Sequence, residues 1–157
     1  MTFDTPITMA PSANPRVPQA PVFYHSVDLQ TRFNDIDMLG HINNSVYISF
    51  FDLGKADYMT TALGQRMEAG HVAAAIVNIN ASFFSPAYFN EPLRVATAVT
   101  RLSNRSFTME QRIYNPATGD VKCTATSILA GFDPVTATAV ELPAQFVDRV
   151  RAFEHWQ

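Results

Sequence analysis

The stretch Asp35-Ile36-Asp37-Met38-Leu39-Gly40-His41-Ile42-Asn43-Asn44 decides how the rest of the chain can fold. Gly40, Asn43 and Asn44 are turn formers, and an oxygen from Asn43, Asn44 or Ser45 can cap a following helix. A helix over about 45–63 is therefore predicted. Its apolar residues (Val46, Tyr47, Ile48, Phe50, Phe51, Leu53, Ala56, Tyr58, Met59, Leu63) leave Ser49, Asp52, Lys55 and Asp57 as a polar minority. A helix of that composition is expected to be largely buried.

Upstream, Val27, Leu29 and Thr31 alternate with Asp28, Gln30 and Arg32, which predicts a first strand from Phe23 to Asn34. Downstream, a polar connection through Gly70 leads to four strand-like runs, at about 72–84, 93–102, 105–114 and 121–132. Turn-forming clusters separate them, including Asn90-Glu91-Pro92 and Asn115-Pro116-Ala117-Thr118-Gly119-Asp120. Leu142-Pro143 opens a C-terminal helix with Phe146, Val150 and Phe153 as its apolar stripe. One curved antiparallel sheet can cover an apolar helix on most sides, so the expected class is α+β: five strands curled around a long central helix, plus a short C-terminal helix.

At 157 residues the chain fits one domain, and a fold of this size buries roughly 68–70% of its unfolded surface. An apolar content of 47% against 16% charged residues suggests that a subunit interface replaces part of the polar surface. The net charge of −3 provides no basic field for a nucleic-acid backbone, so no nucleic-acid partner is expected. No segment approaches the roughly 20 apolar residues of a membrane-spanning helix. The single cysteine, Cys123, lies in an alternating run and reads as a small buried hydrophobe. Residues 1–21, with Pro6, Pro11, Pro15, Pro18 and Pro21, read as a flexible leader rather than a signal peptide, which makes 22–157 the folded domain and the cytoplasm the expected location.

Asp35 and Asp37 stand between a strand and the start of the helix, where unsatisfied N–H groups and the positive end of the helix dipole gather. A carboxylate there can act as nucleophile or as general base toward water, while a backbone N–H stabilises charge developing on a carbonyl oxygen. Read from composition alone, the same two aspartates serve equally well as turn or cap residues, and His41 as a hydrogen-bonded structural histidine. The sequence contains no zinc-spaced His/Cys cluster, no glycine-rich phosphate loop and no Gly-x-Ser-x-Gly elbow, so no metal or cofactor is expected.

The segment from Asp35 to Tyr47, preceded by Arg32, resembles the signature of the 4-hydroxybenzoyl-CoA thioesterase-like branch of the hotdog superfamily. The likeness extends more loosely from about Ser26 to Phe153, through Ser85-Pro86-Ala87-Tyr88 and Arg101 to Phe107. It implies a hotdog fold and hydrolysis of acyl thioesters, with coenzyme A or acyl-carrier-protein phosphopantetheine entering only as part of the substrate. The family's catalytic aspartate falls on Asp37, and its oxyanion donor, a backbone N–H at the helix start, on Asn44 or its neighbours.

The Gly40-His41-x-Asn43-Asn44 form is also similar to plant acyl-carrier-protein thioesterases, which carry an asparagine two residues after the aspartate. Leu39 occupies that position here, which leaves His41 as an orienting or substrate-contacting candidate. Arg101 and Arg105 are candidates for the nucleotide of coenzyme A, and Tyr47 for the acyl group. The run Val77 to Phe83 resembles the strand through which hotdog protomers pair, so a homodimer or a tetramer of dimers is expected. A non-catalytic acyl-CoA-binding module on the same fold is the alternative.

Overall fold

The computed structural model describes residues 3–64 and 73–157. Five strands form one antiparallel sheet in the order β1-β3-β4-β5-β2: β1 (His25–Leu29), β2 (Ala73–Phe83), β3 (Leu93–Leu102), β4 (Ser106–Tyr114) and β5 (Val121–Asp133). A two-residue strand, β6 (Thr138–Ala139), folds back on the end of β5 and was not anticipated. The sheet curls around helix α1 (Asn44–Asp57), and helix α2 (Ala144–Phe153) closes one end, which is the hotdog arrangement. The expected polar connection from 65 to 70, and residue 72 of the second predicted strand, lie outside the described residues.

The inward face of the sheet alternates as predicted. Val95, Thr97 and Val99 of β3, Met109, Gln111 and Ile113 of β4, and Cys123, Ala125 and Leu129 of β5 are all buried. They pack on Tyr47, Phe50, Phe51, Tyr58 and Met59 of the helical segment. The helix approaches most closely at Gly54, where a Cβ would stand 2.9 Å from Val95 Cγ1 and 3.0 Å from Gln111 Nε2. Gln111 Nε2 donates to the Phe51 carbonyl at 2.8 Å and to Thr97 Oγ1 at 3.1 Å, tying helix to sheet inside the core.

Four expectations about the elements need correcting. The first strand ends at Leu29 rather than Asn34, because its partner β3 begins opposite at Leu93; residues Phe33–Asp35 then form a 3₁₀ turn. The central helix, expected to be largely buried, buries one face only, through Tyr47, Phe50, Phe51 and Gly54, while Ile48, Asp52 and Leu53 face solvent. Its last turn, Tyr58–Ala62, is a π turn in which Leu63 N–H bonds the Tyr58 carbonyl at 3.2 Å, while the Thr60 and Thr61 hydroxyls bond back to Ala56 and Asp57 carbonyls.

Pro143 is the extended N-cap of α2 rather than a first-turn residue. Phe146 and Val150 are fully buried, and Glu154 just past the helix accepts from Tyr58 O–H at 2.5 Å and Val99 N–H at 2.8 Å.

The proline-rich segment from residue 3 to 22 contains no helix or strand, yet it lies along the outer face of the sheet. Ile7, Met9, Val17 and Ala20 pack against Phe23, Ala96, Ala98, Tyr114 and Val121, and Ile7 N–H bonds the Phe23 carbonyl at 2.7 Å.

Candidate active site

The segment that links β1 to α1 folds into a tight hairpin. Gly40 N–H bonds the Asp37 carbonyl at 3.1 Å, Asp37 N–H bonds the His41 carbonyl at 2.8 Å, and Gly40 sits at φ +77°. This is the pattern of a turn closed by a left-handed glycine and a bulge, which a side chain at position 40 would strain. Asp37 Oδ1 caps the turn from within by accepting Leu39 N–H at 2.9 Å and His41 N–H at 3.3 Å.

Two anchors fix the hairpin to the protein. Asp35 is buried, with its carboxylate accepting Arg32 N–H at 2.7 Å and the Arg32 guanidinium at 3.2 Å, and its carbonyl accepting Asn43 N–H at 2.8 Å. On the other side, Ile42 N–H bonds the Ala87 carbonyl at 2.8 Å and the His41 ring meets Tyr88 edge-on at 5.2 Å. Asp35 is thus occupied in holding the loop, while Asp37 faces the cavity.

At the helix entrance Asn43 is the N-cap. Its Oδ1 accepts Ser45 N–H at 3.0 Å, and its carbonyl accepts Val46 N–H at 2.9 Å. Among the described residues no acceptor meets the N–H of Asn44, the first helical residue. It is an unclaimed donor of the first turn, at the positive end of the helix dipole.

Asp37, His41, Asn44 and Tyr47 line one cavity of about 480 Å³, together with Leu39 and the Phe83 to Pro86 exit of β2. Tyr47 is 2% exposed, and burial is the main reason its hydroxyl pKa is pushed up to about 12, so it stays protonated. Its ring packs edge-on to Phe83 at 5.5 Å. No hydrogen bond joins the His41 ring to Asp37 among the described residues, so the ring lines the cavity beside the carboxylate without contacting it.

Arg101 and Arg105 do not line this cavity. They flank the turn from β3 to β4, whereas the cavity adjoins the opposite end of the sheet, roughly 25 Å away along β3 at strand rise per residue. Among the described residues no group of three His, Cys, Asp or Glu side chains converges as a metal site.

One participant escaped sequence reasoning. Lys122, 4% exposed, donates to Glu91 Oε1 at 2.6 Å, Asp120 Oδ2 at 2.8 Å and the Pro86 carbonyl at 3.0 Å. Glu91 Oε2 in turn accepts Tyr88 N–H at 3.0 Å, and Ser85 Oγ donates to Asp120 Oδ2 at 2.7 Å. Paired contacts hold the carboxyls of Glu91 and Asp120 below their ordinary pKa against the opposing effect of burial. The network fixes residues 85–91, one wall of the cavity. Alternation along β5, with Val121, Cys123 and Ala125 inward, sets Lys122 on the opposite face and gives no signal of this burial.

A sheet wrapped on a helix whose N-terminus opens beside an aspartate defines a hotdog protein with a helix-entrance site. The family model described as the thioesterase-like superfamily matches residues 31–150, and the chain belongs to that superfamily. It is 24% identical over 123 residues to the long-chain acyl-CoA thioesterase FadM of Escherichia coli, covering 78% of this chain and 93% of that protein. It is also 24% identical over 129 residues to the putative acyl-CoA thioesterase YneP of Bacillus subtilis, covering 81% and 93%.

Among solved structures, the PA5185 protein of Pseudomonas aeruginosa superimposes with a TM-score of 0.76 at 24% identity over 83% of this chain and 92% of that one. A Thermus thermophilus thioesterase, solved with coenzyme A and zinc, gives 0.73 at 24% identity over 83% and 93%.

Proposed function

We propose that the protein hydrolyses acyl thioesters, of coenzyme A or of an acyl-carrier protein, at the cavity between the Asp37 hairpin and the start of α1. The observation that supports this most directly is the pairing of the Asp37 carboxylate with the unclaimed Asn44 N–H in one cavity. As general base, Asp37 takes a proton from water and the resulting hydroxide attacks the thioester carbonyl carbon. As nucleophile, it attacks directly and forms a mixed anhydride that water then opens. In either case the carbonyl oxygen gains charge next to Asn44 N–H, and collapse of the adduct expels the thiolate. Tyr47 and Phe83 offer apolar surface to the acyl group.

The same reading includes a homodimer built through β2. Ile76, Val77, Ile79 and Phe83 of this edge strand are 37–63% exposed, and Ile76 and Ile79 line a groove with Ile48 of α1. Such an edge needs cover, and a second copy of β2 provides it. Pairing of this kind is also the route by which Arg101 and Arg105 of a second protomer could approach a bound nucleotide. A cytoplasmic location is part of the proposal and fits the absence, among the described residues, of any helix long and apolar enough to cross a membrane.

The test is release of free thiol from short, long, branched and aromatic acyl-CoAs and from an acyl-carrier-protein thioester. The wild type should turn over at least one class, and Asp37→Asn should lower kcat on the order of 10²- to 10⁴-fold. Equal rates for the two proteins would remove Asp37 from the chemistry. Tight acyl-CoA binding without thiol release would favour the binding module instead.

A further inference from the structure

A second cavity, of about 540 Å³, lies between the proline-rich strap and the outer face of the sheet, and Arg112 lines it. Arg112 is only 6% exposed, yet no carboxylate among the described residues stands within ion-pair distance. Its Nη2 donates to the Pro18 carbonyl at 2.6 Å, the one hydrogen bond its guanidinium makes among the described residues. Glu110, the next outward residue on β4, acts on it only from a distance and opposes the effect of burial. A guanidinium cannot shed its charge, so a buried one calls for an anion, and its planar fork matches a carboxylate with two parallel hydrogen bonds.

The rest of the lining specifies the body of that anion. Met9, Val17, Pro18 and Ala20 give apolar walls, while Gln19 and Asn14 supply neutral polar groups. Asn14 also shapes the strap, its carbonyl accepting Val17 N–H at 3.1 Å and its Oδ1 accepting Arg16 N–H at 3.0 Å. The volume suits a small ligand.

We propose that this cavity binds a monocarboxylate with an apolar body, its carboxylate gripped by Arg112 and its chain laid under the strap. The site is separate from the Asp37 cavity, shares no lining residue with it, and does not depend on any chemistry there.

Decanoate titrated calorimetrically into the full chain tests the proposal, with decanol and inorganic phosphate as the uncharged and the tail-less probes. Decanoate should bind, and its affinity should fall roughly tenfold or more in Arg112→Gln, which removes the charged donor. Gln19→Glu leaves the Arg112 to Pro18 contact in place, and its added charge at an exposed position should weaken decanoate in the same direction. In the wild type, decanoate should slow tryptic cleavage after Arg16, within the strap. Equal decanoate affinity in wild type and both variants would overturn the proposal, as would decanol or phosphate binding as tightly as decanoate, or cleavage at Arg16 indifferent to decanoate. Because the readouts are binding and strap protection, they stand or fall independently of thioester turnover.

Discussion

Asp37 Oδ1 accepts two backbone N–H groups of its own turn, and an asparagine at that position can accept the same two through its amide oxygen. Asp37→Asn should therefore keep the stability of wild type while losing activity, whereas Asp37→Ala should lose activity and about 1 kcal/mol of stability as well. Thermal unfolding beside the rate assay separates the two effects. Two other residues set the response of the fold to pH. His25, 1% exposed, shares a 2.7 Å hydrogen bond between Nε2 and Asp57 Oδ2, while its buried Nδ1 has no partner among the described residues. Burial lowers its pKa despite Asp57, so the stability it contributes is present above the unfolded value of about 6.5 and is lost as pH falls through its lowered native value. Burial raises the pKa of Glu154, so its contribution is present below the unfolded value of about 4.3 and is lost as pH rises through the raised native value. Melting curves across pH should show His25→Gln losing the acid-side dependence and Glu154→Gln losing the decline on the other side.

At the scale of elements, α1 touches the sheet most tightly at Gly54, so Gly54→Ala should destabilise by about 1–3 kcal/mol even though alanine is the better helix former. Denaturant unfolding measures this, and a stabilised variant would show that β3 can give way. The wall formed by residues 85–91 depends on Lys122, so Lys122→Met should raise KM several-fold with a smaller effect on kcat, because the reacting groups on the hairpin are untouched. What the sequence made legible at this scale follows from local pattern. The apolar run after Asn44 identified the central helix, and alternation identified the strands. The Asp-x-Asp segment pointed to the hairpin because turn formers and cap formers are recognised by their neighbours. The π turn, the early end of β1 and the Lys122 network were not legible. Each depends on register between residues distant in sequence: Leu29 opposite Leu93, Tyr58 against Glu154, and Lys122 against Glu91 and Pro86.

For the whole molecule, the sheet has unlike edges and unlike faces. β1 ends one side with only five residues, whereas β2 ends the other with eleven and a row of exposed apolar side chains. Light scattering should therefore give twice the 17.4 kDa chain mass or a multiple of that, and placing charges at the edge with Val77→Glu and Ile79→Lys should yield monomer. A wild type that is monomeric at assay concentration would remove the dimer from the proposed function. The outer face was the least legible part of the molecule. Proline, alanine and serine in the first 21 residues indicate no helix or strand, but composition cannot reveal that Ile7, Met9 and Val17 find apolar partners on β3, β4 and β5. The likeness at the helix entrance named Asp37 and Asn44, and the same likeness offered Arg101 and Arg105, which the strand register sets at the far end of the sheet.

The unclaimed Asn44 N–H also has a meaning for inhibitor chemistry. Since Ser45 and Val46 N–H are already committed to Asn43, the proposed site would offer a head group Asn44 N–H rather than those two. A compound whose warhead is a ketone, presenting a single carbonyl oxygen, matches that arrangement. A boronate or phosphonate, with several oxygens to satisfy, leaves at least one facing the Asp37 carboxylate, so the ketone series is the better starting point for blocking the site.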